Sequence, residues 1–180
     1  DTRNYGKTLH NIGKVYYDMG DFTSSIEYYN QSIELKQKLN DQKGLHATLL
    51  DLGGAQFYNT DYQSALTNFK RTLAISQSFN DIYDISERYQ VVGMAFFNLA
   101  NYDSAFHYLN MADDLFQTNE YSENRLTTLS WLAITATKDG KKAKSKTYVK
   151  EFNALIDEMD PMNKDIISLK GGGSAGGAGG

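Results

Sequence analysis

Cysteine is absent from this 180-residue chain, so disulfides and thiolate metal sites are excluded. Proline occurs once, at Pro161. Proline removes a backbone donor and clashes inside a helix, so its absence before that point leaves the preceding chain free to be helical. An excess of positive charge is missing as well: the net charge is −4, which argues against bulk binding to nucleic acid, where a dominant positive field must displace counterions. There is no apolar run of about twenty residues and no signal-peptide pattern, so no membrane span is expected. The chain begins at Asp1 rather than Met and reads as an excised or processed piece. The cytoplasm is the favoured compartment, with the periplasm the alternative if a targeting segment was removed.

What is present has the composition of a soluble domain with an ordinary core, 41% hydrophobic and 22% charged. Its organisation shows in Gly13, Gly53 and Gly93, which fall 40 residues apart with the surrounding chain copied at the same interval. The first copy carries Leu9, Ile12, Gly13 and Tyr16, then Phe22, Ser25, Ile26, Tyr29 and Ile33. The second carries Leu49, Leu52, Gly53 and Phe57, then Tyr62, Ala65, Leu66, Phe69 and Leu73. The third carries Tyr89, Val92, Gly93 and Phe96, then Tyr102, Ala105, Phe106 and Leu109. Spacings of three and four put each set on one stripe of a helix, so every copy reads as two amphipathic helices.

The repeated glycines predict close helix crossings, with Gly13, Gly53 and Gly93 expected to face Ser25, Ala65 and Ala105. Within each copy Asp21, Asp61 and Asn101 are placed to cap the second helix. Between copies Asn40-Asp41, Asn80-Asp81 and then Ser122 read as caps of the next first helix. A fourth copy is degenerate: Leu129, Leu132 and Ala133 persist beside Trp131, but Lys142 replaces the turn aromatic, followed by Ser145, Tyr148, Val149 and Phe152. Such a polar unit suits the end of an array. The units run near 6–41, 46–81, 86–120 and 122–160, a repeat domain over 1–160. Residues 161–170 read as a short C-terminal helix or tail after Pro161. The glycine-rich 171–180 reads as a flexible linker, of engineered rather than natural origin.

Nothing in the pattern calls for catalysis, a metal or a cofactor. His10, His46 and His107 lie in three different helices and lack metal-ligand spacing. No glycine-rich phosphate cradle or nucleophile elbow is present. Asp113 and Asp114 read as a solvated helix face. Lys138, Lys141, Lys142, Lys144, Lys146 and Lys150 form one basic stretch, either a dock for an acidic partner or membrane surface, or a solvated cap of the array; the second reading carries more weight.

The spacing resembles the tetratricopeptide repeat family. Leu9-x-x-Ile12-Gly13-x-x-Tyr16 with Ser25-x-x-x-Tyr29, Leu49-x-x-Leu52-Gly53 with Ala65-x-x-x-Phe69, and Tyr89-x-x-Val92-Gly93-x-x-Phe96 with Ala105-x-x-x-Leu109 carry the likeness, over residues 4–160. The family's period is about 34 residues with a proline closing each unit; here Gln37, Gln77 and Gln117 stand in that place, and the second helices are expected to run on through Leu39 and Phe79. Long repeats of this kind look like those of spindle-orientation scaffolds, kinesin light chains and bacterial sensor and transcription regulators, the bacterial group being favoured.

The resemblance implies an all-α, right-handed superhelical stack of about four antiparallel helix pairs, whose first helices line a concave groove. The groove positions it implies are His10, Lys14 and Tyr17; Leu50, Gly54, Phe57 and Tyr58; Gln90, Met94, Phe97 and Asn98; and Ser130 and Ile134. Members that grip a C-terminal carboxylate use Lys, Asn and Arg at such places. Here only Lys14 offers that charge, so a carboxylate clamp is not expected. The lining suits a protein or peptide segment with apolar anchors. The alternative is a sensory or regulatory segment of a bacterial signalling protein that self-associates or binds a ligand.

Overall fold

The computed structural model describes residues 2–160. The expectations for Pro161, for residues 161–170 and for the glycine-rich 171–180 lie outside the described residues. Among the described residues the chain forms eight helices and no strand: α1 (Thr2–Asp18), α2 (Phe22–Lys38), α3 (Gln42–Tyr58), α4 (Tyr62–Phe79), α5 (Ile82–Asn98), α6 (Tyr102–Thr118), α7 (Ser122–Lys138) and α8 (Lys142–Met159). Consecutive helices pack as antiparallel neighbours in a helical repeat stack.

The backbone repeats at half the interval seen in the side chains. Gly20, Asn40, Thr60, Asn80, Ala100, Glu120 and Gly140 all adopt positive φ, between 52° and 77°. Each stands in the short turn between two helices. In the first turn the amide of Gly20 bonds back to the carbonyl of Tyr17, and that of Asp21 to Tyr16, so the left-handed residue closes one helix. The residue after it opens the next. Asp21, Asp41, Asp61, Asp81 and Asn101 accept from the amides of Ser24, Gly44, Ser64, Asp84 and Ser104. Ser122 does not act as a cap: the twenty-residue register places Tyr121 there, and its side chain makes no capping bond. Of the two expected extensions, Phe79 ends α4, whereas Leu39 lies just beyond α2 as its C-cap. Helices of 17 or 18 residues and turns of two or three residues account for the long repeat.

Thr60, Ala100 and Glu120 hold left-handed backbones against a steric cost of roughly 1–2 kcal/mol each. Glycine at Thr60 or Ala100 is therefore expected to raise unfolding free energy by about 0.5–1 kcal/mol, after allowing for its freer unfolded chain. A higher urea midpoint with an unchanged slope checks this.

The glycines mark close crossings, but their partners differ from those expected. A Cβ at Gly13 would fall 2.7 Å from the Tyr29 ring, one at Gly53 2.6 Å from the Phe69 ring, and one at Gly93 2.7 Å from Leu109. These partners lie one turn beyond Ser25, Ala65 and Ala105. Each glycine is a notch that receives a large side chain, while the small residues are buried close by. In the fourth pair Ala133 replaces the glycine and the residue at the partner place, Val149, is 46% exposed, so no notch is needed.

In the acidic pair of α6, Asp114 is exposed as expected but Asp113 is not. Asp113 is buried, and its carboxylate accepts from Arg125 Nε at 3.0 Å, while Arg125 Nη2 reaches Glu151 at 3.4 Å. That network ties α6, α7 and α8 together. Within the basic stretch, Lys141 and Lys144 lie over the Phe106 ring, 5.0 and 5.5 Å from its centre.

The first helices also meet one another, α1 with α3 and α5 with α7. No comparable contact joins the second helices among the described residues. The first helices therefore form the inner wall of the stack.

Candidate functional site

On the inner wall, the 40-residue register sorts the side chains into columns. His10, Leu50, Gln90 and Ser130 occupy one; Lys14, Gly54, Met94 and Ile134 the next; Tyr17, Phe57 and Phe97 a third; and Asp18, Tyr58 and Asn98 a fourth. Where the columns cross α1, α3 and α5 they enclose a cavity of about 310 Å³. Lys14, Tyr17, Leu50, Gly54, Phe57, Tyr58 and Met94 line it. The space opens at Gly54, where a Cβ would meet only Tyr17, at 3.7 Å or more.

The remaining groove positions do not line this cavity. His10 and Gln90 are turned to the neighbouring first helix: His10 Nδ1 lies 3.0 Å from Thr48 Oγ1, and Gln90 Nε2 donates to Thr128 Oγ1 at 2.8 Å. Phe97 packs edge-on against Trp131, with ring centres 5.3 Å apart, and beside Tyr102. Asn98 and Ser130 donate to carbonyls of their own helices, at Met94 and Leu126. Ile134 is 45% exposed.

Five further lining residues are not among the groove positions expected from the sequence: Asp18, Tyr29, Asp51, Phe69 and Val91. Asp51 shares a stripe with Gly54 and Tyr58 at spacings of three and four, and Asp18 shares the column of Tyr58, so periodicity could have found both. Tyr29 and Phe69 reach the cavity from the second helices, across the Gly13 and Gly53 notches. No sequence pattern marks that, because the gap exists only when the hairpins stack.

The cavity is aromatic with charge set into it. Tyr17 meets Tyr58 edge to face, with ring centres 5.8 Å apart and planes at 78°, and Phe57 meets Tyr58 similarly at 5.9 Å. Burial, with the nearby Tyr58 and Asp51, pushes the Tyr17 hydroxyl up to about 12. Burial also raises the Asp51 carboxyl, against Lys14, Lys36 and Arg88, which favour its charged form. Behind Asp51 lies His10, its Nε2 3.4 Å away. Thr48 spends its hydroxyl proton on the Gly44 carbonyl and accepts from Lys36, so His10 Nδ1 is the donor to it.

Burial, then Lys36 and Lys14, holds the His10 imidazole down at about 4, outweighing the adjacent carboxyl. An unfolded histidine takes its proton near 6.5 and the folded one does not, so His10 removes stability as pH falls from about 6.5 towards 4, by up to about 3 kcal/mol. Asp51 and Asp113, whose carboxyls are raised, work in the opposite sense, taking up protons first in the folded state. His10→Gln copies the Gln90 to Thr128 bond and removes the histidine contribution. Thermal melts at pH 7 and pH 4.5 are expected to show a smaller acid loss in the variant than in the parent.

The tetratricopeptide repeat family model matches residues 4–78. No curated protein matches the chain. Among solved structures, the apo form of RapI is similar at 20% identity and a TM-score of 0.78, over 88% of this chain and 44% of that one. A Rap protein complexed with Competence and Sporulation Factor is similar at 19% identity and a TM-score of 0.74, over 88% and 44%. The tetratricopeptide-like repeats of a kinesin light chain from Podospora anserina are similar at 16% identity and a TM-score of 0.75, over 86% and 76%. The chain thus spans less than half the length of the two Rap proteins. At these identities the likeness is one of fold. No helix among the described residues is long and apolar enough to cross a membrane.

Proposed function

We propose, from the match of residues 4–78 to the tetratricopeptide repeat family model and the likeness of fold, that the chain is a non-catalytic interaction module holding a peptide or protein segment in the groove between α1, α3 and α5. Repeats of this family generally mediate protein–protein interaction. The observation that carries the finer reading is the cavity itself. Three first helices contribute aromatic and aliphatic side chains around a space left open by Gly54. A concave apolar pocket with a few polar groups is the common form of a binding site. The similarity to a Rap protein complexed with Competence and Sporulation Factor supports a regulatory setting for such capture.

Phe57 is a poor probe of the groove because it also packs on Tyr58 and Tyr62. Gly54→Leu is better: a Cβ there meets no clash, helix propensity improves, and the added side chain fills the cavity. The variant is expected to keep its helicity and melting temperature while losing at least about tenfold in affinity for leucine-rich pentapeptides, read by fluorescence anisotropy. Unchanged affinity would reject the groove.

A further inference from the structure

The groove's chemistry narrows what it can hold. Asp51 stands inside it with its side chain 34% exposed, reachable from the cavity. Among the described residues, Lys14, Lys36 and Arg88 are near enough to favour the charged form of Asp51, but none lies within ion-pair distance; the adjacent His10 Nε2, at 3.4 Å, carries no proton while Nδ1 donates to Thr48. A partly buried carboxylate without a direct ion pair carries a desolvation cost that an incoming cation relieves. Asp18 adds a second negative charge to the lining. The rings of Tyr17 and Phe57 each stand nearly at right angles to that of Tyr58, which forms an aromatic corner. Aromatic faces attract ammonium and guanidinium groups through the ring quadrupole.

We infer that the groove selects a segment carrying a lysine or arginine between apolar residues, with the cationic head at Asp51 and its alkyl stem against Tyr17, Phe57 and Tyr58. This rests on the peptide-binding reading above and specifies its ligand. Lys14, the one cation in the lining, is on the exposed side of α1 and makes no ion pair among the described residues. Its flexible stem lets the ammonium swing into solvent, where its repulsion is screened, whereas Asp51 sits deeper beside His10. An acidic anchor would meet both carboxylates and is disfavoured.

The test uses labelled pentapeptides of leucine with arginine, lysine, glutamine or glutamate at the centre, titrated by fluorescence anisotropy at low salt. The arginine and lysine peptides are expected to bind at least about tenfold more tightly than the glutamine peptide. Asp51→Asn is expected to bring the arginine and lysine peptides down to the affinity of the glutamine peptide, its fold checked by circular dichroism. Equal binding of the arginine and glutamine peptides by the parent protein overturns the basic anchor without relying on any variant. In that case the groove itself still stands if Gly54→Leu abolishes binding. Binding of none of the four peptides overturns both readings.

Discussion

Alanine at Gly53 is expected to destabilise the protein by about 1–3 kcal/mol, whereas alanine at the adjacent Gly54 stabilises it by up to about 1 kcal/mol. The two glycines share a helix and a composition, so propensity alone predicts the same gain at both. Packing separates them. At Gly53 the new Cβ would stand 2.6 Å from a buried aromatic ring, and displacing Phe69 would disturb its packing in the core with Ala65, Leu66, Val92 and Ala95. At Gly54 the nearest atoms are the Tyr17 hydroxyl and ring at 3.7 and 3.8 Å, an ordinary contact. For a domain of this size each kcal/mol moves the melting temperature by roughly 2–4 °C, so the two variants should melt on opposite sides of the parent. Equal shifts would show that the notch has no role in packing.

Leu109→Ala is expected to cost about 2–5 kcal/mol, the largest single loss among these predictions. Leu109 is fully buried, within the cluster of Phe106, Leu129, Leu132, Ala136 and Leu155 that joins the third hairpin to the fourth. Its removal opens a cavity at the junction where the last unit is held. Gly93→Ala alone is expected to cost about 1–3 kcal/mol, because its Cβ would press on Leu109 Cγ at 2.7 Å and on the Leu109 amide nitrogen at 3.2 Å. In the double variant the alanine methyl enters space vacated by leucine. The losses should fall short of additivity by about 0.5–3 kcal/mol, measured as a double-mutant cycle in urea. Strict additivity would mean that the two residues do not share this contact.

Much of the architecture was legible from periodicity. Apolar residues at spacings of three and four mark the helices of the first three pairs. Asp and Asn before them set most of the helix starts, because a side-chain oxygen there satisfies an amide that the helix leaves free. The failures have physical causes. Ser122 is a good capping type one residue out of register, and the turn geometry rather than residue type chose Tyr121. Asp113 looked solvated because its partner Arg125 lies on another helix. The partners of the glycines were misjudged by one turn, since crossing depth depends on how two surfaces interlock.

The sequence by itself determined that this chain is a stack of helix pairs, that first helices share equivalent columns, and which side chains stand in those columns. Those are consequences of a local rule, the helical repeat of 3.6 residues, applied at a constant interval. Which columns open into a cavity was decided only by the tertiary structure. Gly54 and Met94 leave a space beside Tyr17 and Asp51, whereas the next register is closed by Phe97 against Trp131. Occupied and empty volume depend on side chains brought together from several helices, and no single stretch of chain encodes that sum.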